Sequence, residues 1–237
     1  MQMLGIIGAM DSEVDNLTER LTGRRATTAA GRVFYTGCLN GRTVTIVKSG
    51  IGKVAAATTA QLLIDRFGAD ALLNTGMAGG LADGLAPKDL VIGTEAVQHD
   101  FDITAFGHAP GFMGDGPDDQ QPSIFRADPT MAAAAMAAAQ AVLPAGSRAI
   151  TGRIASGDVF VANTAQRQHI RTLFGAAAAE MEGAAIAQTA VANGIPFVIL
   201  RVISDLAGQE ATISFDELEL YAGRLAGDIT AAILERL

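Results

Sequence analysis

The 237-residue sequence is poor in several residue types that mark particular classes of protein. It contains no Trp and one cysteine, Cys38, which excludes an internal disulfide framework and a cysteine-rich zinc site and favours a reducing compartment. No apolar run approaches the ~20 residues that a membrane-spanning helix needs, and the N-terminal stretch lacks the basic region of a signal peptide. We therefore expect a cytoplasmic protein with no membrane association.

Positive charge is also scarce, with 17 Lys and Arg against 25 Asp and Glu and a formal net charge of −8. Such a surface repels phosphate backbones, and the sequence has no basic stripe, so a nucleic-acid partner is disfavoured. Hydrophobic residues make up 49% of the chain and charged residues 18%, a composition typical of a well-filled core. We expect residues 1–237 to form one domain.

Strand and helix patterns alternate along the chain. The first strand, at residues 3–8, precedes a helix at 11–21. Asn40 and Gly41 lie between two β-rich runs and predict a type I′ hairpin. Further strands are predicted at 33–39, 43–48, 70–75, 89–97, 148–155, 177–180 and 196–203, and further helices at 53–67, 129–143, 164–174, 183–193 and from 214 onward. The Gly- and Pro-containing segment 100–128 is predicted to be a long loop.

This order of elements predicts an α/β fold, specifically a three-layer α/β/α sandwich with a central mixed, largely parallel twisted sheet. Sheets of this kind place ligands at the carboxyl ends of their strands. Four charged or glycine-rich segments are predicted to lie there: GAMDSE, NTGMAGG, EMEG and RVISD.

The acidic residues of these segments have structural as well as functional interpretations. Glu180 and Glu182 lie in a very apolar neighbourhood and need partners, and they could instead cap the following helix. Arg201, Ile203 and Asp205 share one face of an extended strand, where an Arg–Asp pair is the structural alternative. Glu13, by itself, is equally typical of an exposed acid in a first helical turn.

The residue types that bind metals and phosphate are poorly arranged for those tasks. No two of the three histidines have metal-ligand spacing, and GMAGGL lacks the Lys-Ser/Thr of a phosphate-binding loop. We expect neither a metal site nor a cofactor.

Six blocks, in the order GIIGAMDSEV, SGIGKVAAA, NTGMAGGL, SGDVFV, AEMEGAAIA and RVISDLAG, resemble the 5′-methylthioadenosine/S-adenosylhomocysteine nucleosidases of the purine nucleoside phosphorylase superfamily. The match covers nearly the whole chain. The resemblance implies the same fold and a hydrolase that cleaves the N-glycosidic bond of these substrates, releasing adenine and a 5-thio-substituted ribose.

The resemblance also implies catalytic roles. Glu13 corresponds to the residue that activates water, and Arg201 is similar to the arginine that helps to hold this water. Asp205, positioned by Ser204, matches the aspartate that assists protonation of the leaving purine. A carboxyl group can perform this last role if burial raises its pKa.

The implied binding residues fall into three groups. Met181 and Glu182, with Glu180 as support, match the ribose-binding residues, while Phe160 and Val161 resemble an adenine-binding strand. The apolar surroundings of the 5′ group correspond to Met10, Ile51 and Phe215. Phe106 is similar to a residue that enters the site of a partner subunit, which implies a homodimer.

The sequence departs from the family pattern at Met77, where a small or polar residue near the sugar is common, and in the long loop, where His108 replaces a common aromatic residue. These departures bear on which 5′ substituent the protein prefers more than on cleavage of the glycosidic bond. Three alternatives stay open: a nucleosidase for another 5′-substituted adenosine such as aminodeoxyfutalosine, a phosphate-dependent phosphorylase, and a non-catalytic nucleoside-binding protein. Acidic Asp11 and Glu13 disfavour the phosphorylase because they would repel phosphate.

Overall fold

The computed structural model describes residues 1–114, 118–205 and 215–237, with the backbone alone at 205 and 215–218. Within these residues there are ten strands, six α-helices and one short 3-10 turn at Thr104–Phe106. The strands are β1 (Leu4–Gly8), β2 (Thr22–Ala29), β3 (Arg32–Leu39), β4 (Arg42–Lys48), β5 (Ala71–Gly80), β6 (Leu90–Gln98), β7 (Phe125–Arg126), β8 (Ala149–Ser156), β9 (Ala176–Glu180) and β10 (Phe197–Asp205). The helices are α1 (Asp11–Glu19), α2 (Lys53–Phe67), α3 (Pro129–Val142), α4 (Thr164–Phe174), α5 (Gly183–Ala192) and α6 (Phe215–Leu234).

The strands form one mixed sheet, as predicted. Parallel pairings join β1 to β4 and β5, β5 to β10, and β8 to β6 and β9. Antiparallel pairings join β10 to β6, β9 to the end of β5, and β2, β3 and β7 to their neighbours. The strands β5, β10, β6, β8 and β9 thus pair in a closed ring, in which the ends of β5 and β9 pair with each other.

Helices cover both faces of the sheet and give the predicted three layers. One core cluster joins the sheet to α1, α3 and α6 and includes Leu17, Ala135 and Ile229. The other joins it to α2 and α5 and includes Leu63 and Ile186. None of the helices in the described part of the chain combines the length and apolarity that crossing a membrane requires.

The predicted hairpin is confirmed. Leu39 pairs with Arg42, and the two residues between them, Asn40 and Gly41, have φ values of 48° and 79°. Positive φ at both positions defines a type I′ turn, whose twist matches that of the flanking strands.

Two local predictions are wrong. Residues 22–29 were not expected to be a strand, but they form the sheet edge β2, so α1 ends at Glu19 rather than at residue 21. The glycine-rich segment after residue 75 was expected to leave the sheet, but β5 continues to Gly80. It does so because Gly79 and Gly80 pair with Ala179 and Ala178 of β9.

Candidate active site

A cavity of about 170 Å³, open to solvent, lies at the carboxyl ends of β1, β4, β5, β8, β9 and β10. Its position is that expected for a ligand site in a sheet with this topology. Its lining residues are Ala9, Met10, Glu13, Ile51, Met77, Ala78, Gly79, Val159, Phe160, Val161, Ala179, Glu180, Met181, Glu182 and Ser204. The cavity therefore gathers residues from all four of the segments singled out in the sequence.

Glu13 lies in the first turn of α1, and its carboxylate turns back toward β1. Oε2 accepts hydrogen bonds from the backbone N–H groups of Ala9 (2.6 Å) and Met10 (3.2 Å), and Oε1 accepts one from Met77 (3.0 Å). Only 3% of the residue is exposed. Burial raises the pKa of this carboxyl group above its usual value, although the Arg201 charge and the three N–H donors act in the opposite direction.

Arg201, in β10, is buried and does not line the cavity itself. Its Nη2 donates to Asn74 Oδ1 (2.6 Å) and to Glu180 Oε2, and lies 3.7 Å from Glu182 Oε2. Burial alone would lower the pKa of Arg201, but the charges of Glu180, Glu182 and Glu13 raise it above its usual value. The guanidinium therefore supplies a permanent positive charge among three carboxyl groups.

Gly76 lies opposite Arg201 in the pairing of β5 with β10. A Cβ atom at this position would overlap both Arg201 Nη1 and Glu13 Oε1. The close approach of the guanidinium and the carboxylate to the β5 backbone therefore requires glycine.

Glu180 is saturated with hydrogen bonds. Oε1 accepts from the Ser156 hydroxyl and the Gly183 N–H (3.0 Å), and Oε2 accepts from Arg201 and from the N–H groups of Glu182 (3.0 Å) and Gly183 (2.8 Å). Three of these bonds satisfy N–H groups at the beginning of α5, so the helix-capping interpretation is confirmed for Glu180. Although Glu180 borders the cavity, its oxygens are occupied by the protein.

Glu182 is arranged differently. Oε1 accepts one hydrogen bond, from the Gly52 N–H (2.9 Å), and the side chain lines the cavity. Burial, followed by the Glu180 charge, raises the pKa of Glu182 to about 7, against the Arg201 charge. We refer to Glu13, Glu180, Glu182 and Arg201 together as the carboxylate floor.

The end of β10 brings Ser204 to the cavity, with 6% of the residue exposed. The register with β5 shifts between Ile203 and Asp205, so a bulge interrupts the expected strict alternation of this strand. The Asp205 backbone pairs with Gly79, two residues from Met77 along β5, while the Asp205 side chain lies outside the described residues.

The outer wall of the cavity is apolar and open. Ile51, Val159 and Phe160 are 62%, 47% and 63% exposed, and we call these three residues the apolar rim. The family resemblance implied a strand at Phe160 and Val161, and this prediction is wrong. β8 ends at Ser156 and a loop follows, because the N–H of Asp158 bonds to Asp100 Oδ2 (2.8 Å) rather than to a neighbouring strand.

Some of the remaining predicted site residues line the cavity and others do not. Met10, Met77, Val161 and Met181 line the cavity. Phe106 is 80% exposed, on the 3-10 turn, and does not line the cavity of its own chain. Phe215 begins α6, but its side chain lies outside the described residues.

Several site residues were missed by the sequence reasoning. Asn74 bridges β1 and β10, donating to the Ile7 carbonyl (3.0 Å) and accepting from Arg201, and Ser156 holds Glu180. Both are polar residues in apolar strands, which is a signal that could have found them. Gly52 carries no such signal, because its N–H meets Glu182 only through the tertiary fold.

Comparison with known proteins places this geometry in a family. Residues 3–237 match the model of the Phosphorylase superfamily. The chain is 42% identical over 239 residues to the 5′-methylthioadenosine/S-adenosylhomocysteine nucleosidase of Shewanella sediminis, with 99% of each chain covered. Among solved structures, the same-named Neisseria meningitidis protein in complex with methylthio-immucillin-A gives a TM-score of 0.91 at 40% identity and full coverage of both chains.

A futalosine hydrolase of Helicobacter pylori also matches, with a TM-score of 0.90 at 31% identity over 100% of this chain and 98% of that chain. The higher identities lie with the nucleosidases, and they extend over the full length of the sequence. The chain therefore belongs to the phosphorylase superfamily and, within it, to the 5′-methylthioadenosine/S-adenosylhomocysteine nucleosidases, which hydrolyse N-glycosidic bonds.

Proposed function

We propose that the protein hydrolyses the N-glycosidic bond of 5′-methylthioadenosine and S-adenosylhomocysteine, releasing adenine and the 5-thio-substituted ribose. The observation that carries this proposal is a buried carboxylate, Glu13, fixed by three backbone N–H groups at the wall of a largely apolar cavity. The name and full-length similarity of the relatives supply the substrate class.

Glu13 is the water-activating base in this proposal. A base works best when its pKa lies near the working pH, and burial moves the pKa of Glu13 upward in that direction. The Arg201 charge opposes this shift and so helps to keep the carboxylate ionised. The water oxygen adds to the anomeric carbon while Glu13 takes its proton, and the electron pair of the broken bond passes to the purine.

Asp205 assists proton delivery to that purine, so that adenine does not leave as an anion. This role follows from the family resemblance and from the place of its backbone at the end of β10, beside Ser204. The division of labour is that of inverting glycosidases, in which one carboxyl group acts on water and another on the leaving group.

The other walls account for substrate binding. Glu182 accepts hydrogen bonds from the ribose hydroxyls, next to Met181, because its carboxylate has acceptor positions beyond the one used by Gly52. The ring of Phe160 stacks on adenine, whose edge meets the Val161 backbone. The 5′ group lies among Met10, Ile51 and Met77, with Phe215 added from α6.

We further propose that the protein is a cytoplasmic homodimer. The apolar rim and Phe106 expose large hydrophobic side chains near the mouth of the cavity and on the long loop, and a second copy would cover such surface. In this arrangement Phe106 of one subunit completes the site of the other. The single cysteine suits a reducing compartment.

Two other activities differ from the proposed one. Phosphorolysis differs in the charge that its site requires, and cleavage of aminodeoxyfutalosine differs in the 5′ substituent of the substrate. Among the described residues that line the cavity there is no Lys or Arg, whereas phosphorolysis requires donors or cations around a phosphate. A nucleosidase for aminodeoxyfutalosine remains the second candidate, supported by the likeness to futalosine hydrolase.

The first test is an assay of the purified protein with 5′-methylthioadenosine in phosphate-free buffer, in which adenine and sugar are quantified. We expect free methylthioribose, and we expect Glu13→Gln and Asp205→Asn each to lower kcat by about 10²–10⁴-fold. Asp15→Asn, on the exposed side of α1, is the matched control and should retain activity. A sugar 1-phosphate formed only with phosphate would replace the proposal by phosphorolysis. A higher kcat/KM for aminodeoxyfutalosine would reassign the substrate.

A further inference from the structure

Three residues outside the carboxylate floor, Lys53, Asp100 and Asp158, form a closed hydrogen-bonded ring. The Lys53 N–H donates to Asp158 Oδ1 (2.8 Å), the Asp158 N–H donates to Asp100 Oδ2 (2.8 Å), and Lys53 Nζ donates to Asp100 Oδ1 (2.5 Å). Each residue belongs to a different segment: the start of α2, the loop after β6 and the loop after β8. The ring therefore fixes three otherwise independent segments relative to one another.

Two of these segments carry the residues of the apolar rim. Lys53 directly follows Ile51 of the rim and Gly52, whose N–H binds Glu182. Asp158 directly precedes Val159 and the adenine-side residues that follow it. The position of Ile51 relative to Val159 and Phe160 thus depends on the bond that joins Lys53 to Asp158.

Burial distinguishes this ring from an ordinary surface ion pair. The Lys53 and Asp100 side chains are 15% and 20% exposed, and Lys53 Nζ donates a second hydrogen bond to Gln98 Oε1 (2.9 Å). Burial alone would raise the pKa of Asp100, but the Lys53 hydrogen bond and charge and the Asp158 N–H hold it below its usual value. Asp100 is therefore an ion that depends on its partners, in contrast to exposed pairs, which contribute little.

We propose that Lys53, Asp100 and Asp158 are positioning residues that hold the two parts of the apolar rim, at Ile51 and at Phe160, in the relative position that a nucleoside requires. This inference rests on the proposed function for the identity of the nucleoside, but it concerns the shape of the cavity and not the chemical step. Its expected signature is a change in substrate and product affinity, because walls that contact both ground state and transition state act mainly on KM.

The sharpest test compares Asp158→Ala with Asp158→Asn. Asparagine keeps an oxygen that can accept the Lys53 N–H, whereas alanine does not. We expect Asp158→Ala to raise KM for 5′-methylthioadenosine by about 10-fold, since small misplacements of binding groups have effects of this order or larger. Asp158→Asn should stay within about twofold of wild type.

A second pair tests the Asp100 side of the ring. Lys53→Met removes the donor to Asp100 and should also raise KM, while Lys53→Arg retains a positive charge and should recover part of the affinity. Asp70→Ala is the matched control. Asp70 accepts two backbone hydrogen bonds, from Gln2 (2.6 Å) and Met3 (3.1 Å), at the end of β1 opposite to the cavity. The Asp70→Ala variant should have a lower melting temperature than wild type but the same KM for 5′-methylthioadenosine.

Adenine affinity, measured by isothermal titration calorimetry, separates failure of this inference from failure of the proposed function. If the wild-type protein binds adenine but cleaves no thioadenosine, the function is wrong and the ring is still tested through the adenine Kd. If Asp158→Ala and Lys53→Met lose thermal stability but keep the wild-type KM and adenine Kd, the ring is only structural and the inference is overturned.

Discussion

The carboxylate floor and the apolar rim lie in one cavity but are built in opposite ways. The floor residues are nearly inaccessible, and their charged atoms are held by backbone N–H groups and by one another. The rim residues are about half exposed or more, and they lie in loops. In the proposed mechanism the chemistry thus lies in the part of the cavity that folding fixes, while substrate fit depends on the exposed part, which the proposed second subunit would cover.

The largest effect should come from removing the one positive charge of the floor. Arg201→Met leaves three buried carboxyl groups without their shared cation, and we expect the free energy of unfolding to fall by about 3–5 kcal/mol. Urea denaturation followed by circular dichroism measures this change. A loss below about 1 kcal/mol would mean that the floor does not depend on this charge, and the contrast with the rim would fail.

The next effect concerns Glu182, the floor residue with free acceptor capacity. Since its pKa is about 7, protonation at lower pH removes acceptor positions for the ribose hydroxyls. We expect KM to rise as the pH falls from 8 to 6. Glu182→Gln should show a raised KM with a weaker pH dependence, and Glu19→Gln, an exposed acid on α1, should behave as wild type.

The raised pKa of Glu182 also predicts how the stability of the protein changes with pH. The folded-state pKa of this carboxyl group, about 7, lies above the usual value of 4.5, so the folded state binds more protons than the unfolded state between pH 4.5 and pH 7. Its contribution to stability is therefore present below pH 4.5 and is lost as the pH rises to about 7. Glu182→Gln should become more stable relative to wild type over this range. An unchanged difference in the free energy of unfolding would contradict the raised pKa.

The proposed contribution of Phe106 from a second subunit predicts a smaller effect on KM, which a hybrid dimer should reverse. Phe106→Ala should raise KM by about 10-fold, the loss expected when one apolar contact to a ligand is removed. Hybrid dimers of Phe106→Ala with inactive Glu13→Gln should regain normal KM in one site per dimer, because that site receives an intact Phe106. Absence of rescue in verified hybrids would remove Phe106 from the partner's site.

We expect the smallest effect at Arg171 and Asp83, which form an arginine–carboxylate pair as in the floor but on the protein surface. Arg171 binds both oxygens of Asp83 on the surface, and this pair lowers the pKa of Asp83. Arg171→Gln should leave the melting temperature and KM within experimental error, since solvent screens the pair. A loss comparable to that of Arg201→Met would show that burial is not what separates the two arginines.

Local sequence patterns predicted the parts of the fold that carry their own signal. Asn40 and Gly41 tolerate positive φ and predicted the hairpin, and the alternation of strand and helix patterns predicted the three layers. The gathering of Glu13, Glu180 and Arg201 at one end of the sheet also followed, because the strand ends of such sheets meet there.

What could not be predicted depends on partners that are distant in sequence. Seven of the eight residues of β2 are exposed, so this strand has no apolar alternation and exists through its pairing with β3. Glu180 and Glu182 look equivalent in sequence, but one meets the N–H groups of α5 and the other meets Gly52. Lys53 gave no functional signal because its partners come from two other loops.

The way in which Glu13 is held has a consequence for how this family can diversify. Its donors are the main-chain N–H groups of Ala9, Met10 and Met77, three residues that also line the cavity. Any residue except proline supplies the same N–H, so substitutions at positions 10 and 77 should leave Glu13, the proposed base, in place. If these two residues contact the 5′ group as proposed, a combinatorial library at these positions should change substrate preference without loss of the Glu13 hydrogen bonds.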